Sequence, residues 1–189
     1  MMHQFRKFFN SDIHILEKMK KSGESAAERV TYGAMTGAIA ALMQAAGMFG
    51  GVGFLISALS TLPIVLATLR SLRTGGLTYL LTFALLCVIQ PGEAYVYLFT
   101  TGILGLSLGF SISVLKNQLL TIMFSGMSLT LGILFLLLII QLPVLGPSIG
   151  ANMNFQIILY IFLFTVVYSW IWLKGLVLFV KRYAILLDK

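Results

Sequence analysis

The chain has 189 residues, of which 59% are hydrophobic and 10% are charged, and its formal net charge is +7. A soluble domain carries about 25% charged residues, so a chain this short cannot hide so much apolar surface from water. The composition excludes an ordinary soluble domain and predicts an integral membrane protein with one compact domain. The surplus of Lys and Arg is then interpreted by position, because cytoplasmic loops collect these residues, and it does not indicate nucleic-acid binding.

The first 29 residues are polar and basic. Apolar side chains recur near helical spacing between residues 5 and 19, and the lysines and arginines fall largely off that stripe. This pattern predicts an amphipathic helix that lies on the anionic inner leaflet of a membrane. A partly unstructured tail is the alternative, because the run Asn10-Ser11-Asp12 favours a turn.

Six apolar stretches follow and predict six membrane-spanning helices. Ser25, with Glu28 three residues later, is a capping-box pattern and predicts the start of the first long helix. A spanning helix needs roughly 20 residues, with a range of about 17–25. The predicted spans are 30–48, 52–70, 76–90, 94–115, 118–142 and 155–180. The predicted organisation is therefore a basic amphipathic segment over 1–29, a six-helix transmembrane domain over 30–182 and a short cytoplasmic tail over 183–189.

The basic residues predict how the spans are oriented. With six spans and a cytoplasmic N-terminus, the inner segments are 1–29, 71–75, 116–117 and 181–189, and the outer loops contain no Lys or Arg. Lys174 lies within the sixth span, where its long side chain can reach the headgroups. Because positive residues collect inside, the sequence predicts an all-α integral membrane protein with both termini in the cytoplasm.

Residue patterns typical of enzymes are missing from the spans. The two histidines, His3 and His14, lie in the N-terminal segment, so the spans offer none for a Ser/His protease or a zinc site. No glycine-rich phosphate loop with a Lys occurs, and Cys87 is a lone thiol in an apolar run. Glu93 is the only carboxylate within the predicted spans and their outer loops, and it lies at a helix end. We therefore expect no enzyme activity, no cofactor and no self-powered proton coupling.

The first span carries a stripe of alanines at steps of four, three and four: Ala34, Ala38, Ala41 and Ala45. Small residues at this spacing let helices approach closely in lipid. The stripe is therefore a candidate interface for a partner membrane protein. Packing within the bundle is the alternative, and it is the preferred interpretation for the glycines of the fourth span.

Polar side chains gather at the predicted outer ends of several spans. The candidate substrate-binding residues are Gln44, Gln90, Glu93, Tyr97, Asn152, Asn154 and Tyr160. Amides and phenols supply hydrogen bonds, and aromatic rings supply apolar walls for a small solute. Because Glu93 is the only charge at that side, the set favours a neutral or cationic heteroaromatic solute over an anion. Interfacial anchoring of the individual residues is the alternative.

The chain resembles the substrate-binding S components of energy-coupling-factor transporters, and a related family of uncharacterised bacterial membrane proteins with a similar layout. The segment Ala34-Met35-Thr36-Gly37-Ala38 matches the place of the Ala-xxx-Ala motif with which S components contact a transmembrane coupling subunit. The stretch from Leu62 to Arg70, followed by Gly75-Gly76, also matches, and the resemblance covers residues 25–182. It implies a multi-pass subunit of a bacterial plasma membrane that captures a vitamin or related micronutrient from outside. This subunit would dock on a coupling subunit served by two ATPases.

A membrane scaffold that transports nothing is the alternative function. Small six-span proteins of the rod-shape-determining type support cell-envelope machinery and would also show small-residue faces and a basic inner side. A tightly bound small molecule would favour the S component. Co-purification with elongation or division proteins alone would favour the scaffold.

Overall fold

The computed structural model describes residues 25–142 and 154–187, together with Ile13, Leu16 and Gly23. Its described elements are all helical. In chain order they are α1 (Ala26–Ala45), α2 (Val52–Leu59), α3 (Thr61–Arg70), α4 (Leu72–Ile89), α5 (Pro91–Phe99), α6 (Thr101–Leu115), α7 (Gln118–Phe135) and α8 (Phe155–Leu187). A 3-10 helix, Ala46–Phe49, follows α1, and a π-helical turn, Leu136–Ile140, extends α7.

Five segments of the described chain are long and apolar enough to cross a membrane. They are Val52–Arg70, Leu72–Ile89, Pro91–Leu115, Gln118–Ile140 and Phe155–Arg182, and they correspond to the second to sixth predicted spans. For the described residues, the prediction of an all-helical chain with helices long and apolar enough to span a membrane is confirmed. Helix α1 is not among the five, although its 20 residues extend about 30 Å. It carries Glu28, Arg29 and Gln44 among glycines and threonines, which lower its hydropathy.

The Ser25 half of the predicted capping box is present at the start of α1. The Ser25 side chain accepts a hydrogen bond of 3.1 Å from the backbone N–H of Glu28. This bond satisfies one of the N–H groups that the first turn of a helix leaves without a partner. The local signal in the sequence was therefore sufficient to locate this helix end.

The connection between the second and third spans is shorter than predicted. Residues 71–75 were expected to form an inner turn, but the extended residue Ser71 (φ −161°, ψ 136°) alone separates α3 from α4. The third span therefore begins at Leu72 rather than at residue 76. Gly75 lies inside the helix, where its missing side chain lets α4 pack against Thr68 of α3.

Two of the spans consist of two helices each. Pro63 lies near the start of α3, and α2 ends at Leu59. The proline ring clashes with the carbonyl group four residues earlier, which belongs to Leu59, so the helix breaks there. The α5–α6 break is at Thr100, whose hydroxyl donates to the Val96 carbonyl oxygen at 2.6 Å. Both breaks place polar residues inside the bundle, where they form the candidate site described below.

Helix α3 lies at the centre of the bundle and packs against α1, α4 and α6. On one side, α1 lies along α4, and hydroxyls of α4 bond backbone carbonyls of α1: Thr82 donates to Gly37 at 3.1 Å and Thr78 to Gly33 at 3.4 Å. On the other side, α7 packs against α6, and α8 packs mainly against α7. The glycines of α1 therefore allow close helix contact within this chain.

Two residues of the N-terminal segment lie in the core. Ile13 and Leu16 are helical and almost completely buried, and they belong to an apolar cluster with Leu69, Ile112 and Leu176. At these two positions the apolar stripe contacts the helical bundle. Apart from Ile13, Leu16 and the turn residue Gly23, residues 1–24 lie outside the described residues.

Candidate functional site

Gln44, fully buried near the end of α1, is the centre of a polar network. Its amide nitrogen Nε2 donates to Glu93 Oε2 at 2.8 Å. Its oxygen Oε1 accepts from Ser60 Oγ at 2.8 Å and from Thr101 Oγ1 at 2.7 Å. One side chain thus joins α1, the α2–α3 break, α5 and the start of α6.

The local sequence explains how the carboxylate of Glu93 enters this network. Pro91 opens α5, and Glu93 lies in the first helical turn, where the helix dipole favours a negative charge. Gly47 of the 3-10 helix lies against the carboxylate, since a Cβ added there would be 3.0 Å from Glu93 Oε1. The absence of a side chain at Gly47 therefore makes room for the acid.

Two side-chain acceptor atoms of the segment around Glu93 have no hydrogen-bond partner among the described residues. Glu93 Oε1 is not used in the bond to Gln44, and Gln90 Oε1 is buried without a hydrogen-bond partner among the described residues. Among the described residues, no Lys or Arg forms an ion pair with Glu93. A site with a carboxylate and a free amide oxygen attracts a cation or a ligand rich in N–H and O–H groups.

Tyr97 lies one helical turn after Glu93 on α5, and its hydroxyl is already bonded. It is fully buried in a cluster with Ala45 and Ala94, and its ring centroid lies 5.6 Å from that of Tyr79. The Tyr79 hydroxyl donates to the Leu98 carbonyl oxygen at 2.7 Å, and the Tyr97 hydroxyl donates to the Tyr79 carbonyl oxygen at 3.4 Å. Both phenols are therefore engaged by the fold, and Tyr97 contributes shape to the site.

The other candidate binding residues are not placed in this network. Asn152 lies outside the described residues. Asn154 directly precedes α8 and is exposed, and Tyr160 is 67% exposed on α8. The structure joins Gln44 to Glu93 directly and places Tyr97 one turn further along α5, while Gln90 directly precedes that helix. Helix α8 packs mainly against α7, and no hydrogen bond among the described residues joins Asn154 or Tyr160 to the network.

The alanine stripe of α1 divides into two halves. Ala34 and Ala38 are exposed on the bundle surface. Ala41 and Ala45 are buried and pack with Ile64 of α3. The half nearer the start of α1 is therefore uncovered by the described residues, and the half nearer Gln44 belongs to the core.

Several polar residues of the interior were not singled out from the sequence. Ser60 and Thr101 hold Gln44, yet a lone hydroxyl residue in an apolar run carries no specific signal. Four further residues in the other half of the bundle have buried side-chain polar atoms without a hydrogen-bond partner among the described residues: Gln118, Thr121 and Ser125 of α7, and Ser169 of α8. The spacing of the three on α7 places them on one helix face, which a search for buried polar periodicity could have found.

Comparisons with protein-family models, with curated proteins and with solved structures gave no match for this chain. Among the described residues, no group of three or more His, Cys, Asp or Glu side chains could hold a metal ion. The chemistry of the site is that of one carboxylate bound by an amide, and two hydroxyls hold that amide inside an apolar helical bundle.

Proposed function

We propose that this chain is a membrane-embedded binding subunit of a micronutrient transporter, of the kind represented by the S components it resembles. The carrying observation is the 2.8 Å contact between Gln44 and Glu93, two residues selected from the sequence as binding residues. An ionisable group inside a membrane protein is expensive to bury and is by default a functional-site candidate. Partner ATPases and a coupling membrane subunit would supply the energy, and the chain itself would bind the solute.

The free acceptors at the site favour a neutral or cationic solute. Glu93 Oε1 and Gln90 Oε1 can accept hydrogen bonds from such a solute. A carboxylate solute would be repelled by Glu93 and would find no Lys or Arg in the α4–α5 connection or the first turn of α5. It would lose its hydration without an equivalent gain.

The proposal includes six spans, with α1 as the first and both termini in the cytoplasm of a bacterial cell. Helix α1 lies along α4 and contacts α3, so its glycines and Thr36 face protein rather than lipid. Arg70, Arg73 and Lys116 lie at one end of the bundle, and Glu93 follows the opposite end of α4. This asymmetry supports a cytoplasmic position for the basic end.

Orientation can be tested by cysteine labelling in a Cys87→Ser background. Gly92 is exposed in the first turn of α5. A cysteine at this position should react with a membrane-impermeant maleimide added to intact cells. A cysteine at Ser71 should react after the cells are permeabilised and not before. Labelling of Ser71→Cys in intact cells would contradict the proposed orientation.

Solute binding can be tested with purified protein and three probes: thiamine as a cationic heteroaromatic, riboflavin as a neutral one and biotin as a carboxylate. We expect thiamine or riboflavin to raise the unfolding temperature, and biotin to have no effect. For a cationic ligand, Glu93→Gln should weaken binding at least about tenfold, because a hydrogen bond to a charged group contributes about 1.5–3 kcal/mol. Tight biotin binding that Glu93→Gln leaves unchanged would show that the site is elsewhere.

Native mass spectrometry separates the transporter subunit from the scaffold. A small molecule retained by the wild-type protein and lost in Glu93→Gln supports the binding subunit. Absence of any retained solute, together with co-purification of cell-envelope proteins alone, supports the scaffold of the rod-shape-determining type.

The uncovered half of the alanine stripe predicts where a coupling subunit docks. Ala38→Leu should reduce recovery of a membrane partner from native membranes by at least about tenfold, because bulk at a small-residue face prevents close helix approach. The variant itself should remain folded, since Ala38 is exposed. Gly175→Leu is the matched control, because a Cβ at Gly175 meets no atom within 4 Å. If Ala38→Leu destabilises the isolated protein instead, the stripe packs internally.

A further inference from the structure

An open groove of about 400 Å³ runs along the outside of the bundle where α3, α4, α6 and α7 meet. Its apolar lining is formed by Leu72, Gly76, Ile103, Leu106, Phe110 and Phe124. Two hydroxyl residues, Thr68 and Ser107, also line it. Their hydroxyls already donate to helix carbonyls, Thr68 to Ile64 at 2.7 Å and Ser107 to Leu104 at 3.0 Å. The groove is therefore an apolar surface with no unused side-chain donor in its wall.

The groove is open because α4 has no side chain at Gly76. A Cβ added at Gly76 would meet no atom within 4 Å. The opposite wall is made by the rings of Phe110 and Phe124, whose centroids lie 5.8 Å apart and which are 39% and 44% exposed. In a bilayer these surfaces face hydrocarbon, so a flexible apolar chain is the ligand that matches the lining.

The groove reaches Leu72, at the end of the bundle that carries basic residues. Thr68 of α3 lies directly against both Gly75 of α4 and Gly109 of α6, so these three residues are at one depth in the bundle. Arg73 lies two residues before Gly75 on α4, and Lys116 directly follows α6. Both basic residues therefore lie at the same end of the bundle. Arg73 is exposed and follows Leu72, which lines the groove. The acid Glu93 lies beyond the far end of α4.

We propose that this groove is a binding site for an anionic phospholipid. One acyl chain lies in the groove against Phe110 and Phe124, and the phosphate lies at Arg73 within the positive field that Lys116 strengthens. Guanidinium groups bind phosphate oxygens through paired hydrogen bonds, and basic residues at the end of a membrane helix attract anionic lipid. The site requires neither the solute site at Glu93 nor a particular orientation of the protein in the membrane.

The test compares lipid retention in four variants by native mass spectrometry. Protein is exchanged into mixed micelles that contain equal amounts of phosphatidylglycerol and phosphatidylcholine with identical acyl chains. Wild-type protein should retain phosphatidylglycerol about fivefold or more over phosphatidylcholine, from the contribution of one basic residue near a membrane surface. Gly76→Leu should remove most retention of both lipids by filling the groove, and Arg73→Gln should abolish the preference between them.

Two controls match these substitutions. Gly175→Leu adds the same side chain on α8, where a Cβ also meets nothing within 4 Å, and Arg182→Gln removes an exposed cation from α8. Both should retain lipid as the wild type does. Equal retention of the two lipids by the wild type, or retention that Gly76→Leu leaves intact, would overturn the proposal. Loss of a bound protein instead of a lipid in Gly76→Leu would also overturn it, since the occupant would then be a partner helix.

Discussion

Gly75→Ala is expected to destabilise the bundle by about 1–3 kcal/mol, the range for adding a methyl group to a packed interior. An added Cβ at Gly75 would lie 2.6 Å from Thr68 Cα and 2.7 Å from Thr68 Cβ. Thr68 cannot move away, because Gly109 of α6 packs against its other side, where an added Cβ would lie 2.6 Å from Thr68 Cγ2. Three helices would therefore have to separate.

Gly76→Ala is the matched control for this prediction, since it places the same methyl group one residue further along α4. No atom lies within 4 Å of the added Cβ, so the helix gains up to about 1 kcal/mol from the better helix propensity of Ala. Unfolding in mixed micelles with increasing dodecyl sulfate, followed by circular dichroism, measures both changes. Equal effects of the two substitutions would contradict the close contact of α3, α4 and α6.

Gln44→Leu is the second substitution with a large expected effect. Leu has a similar size, but it leaves the carboxylate of Glu93 and the hydroxyls of Ser60 and Thr101 without their shared partner. We expect a loss of about 2–4 kcal/mol in the free energy of unfolding, because orphaned buried polar groups are not compensated by water. Gln156→Leu, at an exposed position of α8, should change stability little.

A double-mutant cycle separates the contact with Glu93 from the loss of Gln44 itself. Replacing both partners by apolar residues, Gln44→Leu with Glu93→Leu, should be less destabilising than Gln44→Leu alone, because no carboxylate is then left unpaired. Glu93→Gln should retain the hydrogen bond and most of the stability, while it removes the charge on which cation binding depends. If the effects of Gln44→Leu and Glu93→Leu on the free energy of unfolding add strictly, the 2.8 Å contact has no energetic role.

These tests bear on different levels of the proposal. The glycine pair tests how α3, α4 and α6 pack, and the Gln44 series tests the polar network. If the network stabilises the fold but no probe binds, the carboxylate is structural and the binding-subunit proposal loses its carrying observation. If binding and stability both depend on Glu93, the network is preorganised for the solute.

Local features were predictable because each depends on neighbouring residues alone. The cap at Ser25 and the five long apolar segments follow from short-range chemistry and from hydropathy. The turn at Ser71 was predicted too long, because two glycines after a basic residue are typical of a loop. Here Gly75 serves close packing within α4 instead, a role that depends on Thr68 of another helix.

The candidate site was predictable in part. Gln44 and Glu93 could be selected because a polar residue at the end of an apolar run is unusual, and the structure joins them across 49 positions of sequence. The places of Asn154 and Tyr160 could not be derived, because they depend on α8 packing against α7.

The sequence by itself determined an apolar, all-helical chain, the order of its five long apolar segments and the concentration of basic residues at alternate connections. Only the tertiary structure decided which helix faces meet: that Ala41 and Ala45 are core while Ala34 and Ala38 are uncovered, and that Ser60 and Thr101 hold Gln44. The physical reason is that lipid is as apolar as most helix faces. Hydropathy therefore directs helices into the membrane, and close packing and hydrogen bonds between particular residues decide how they assemble.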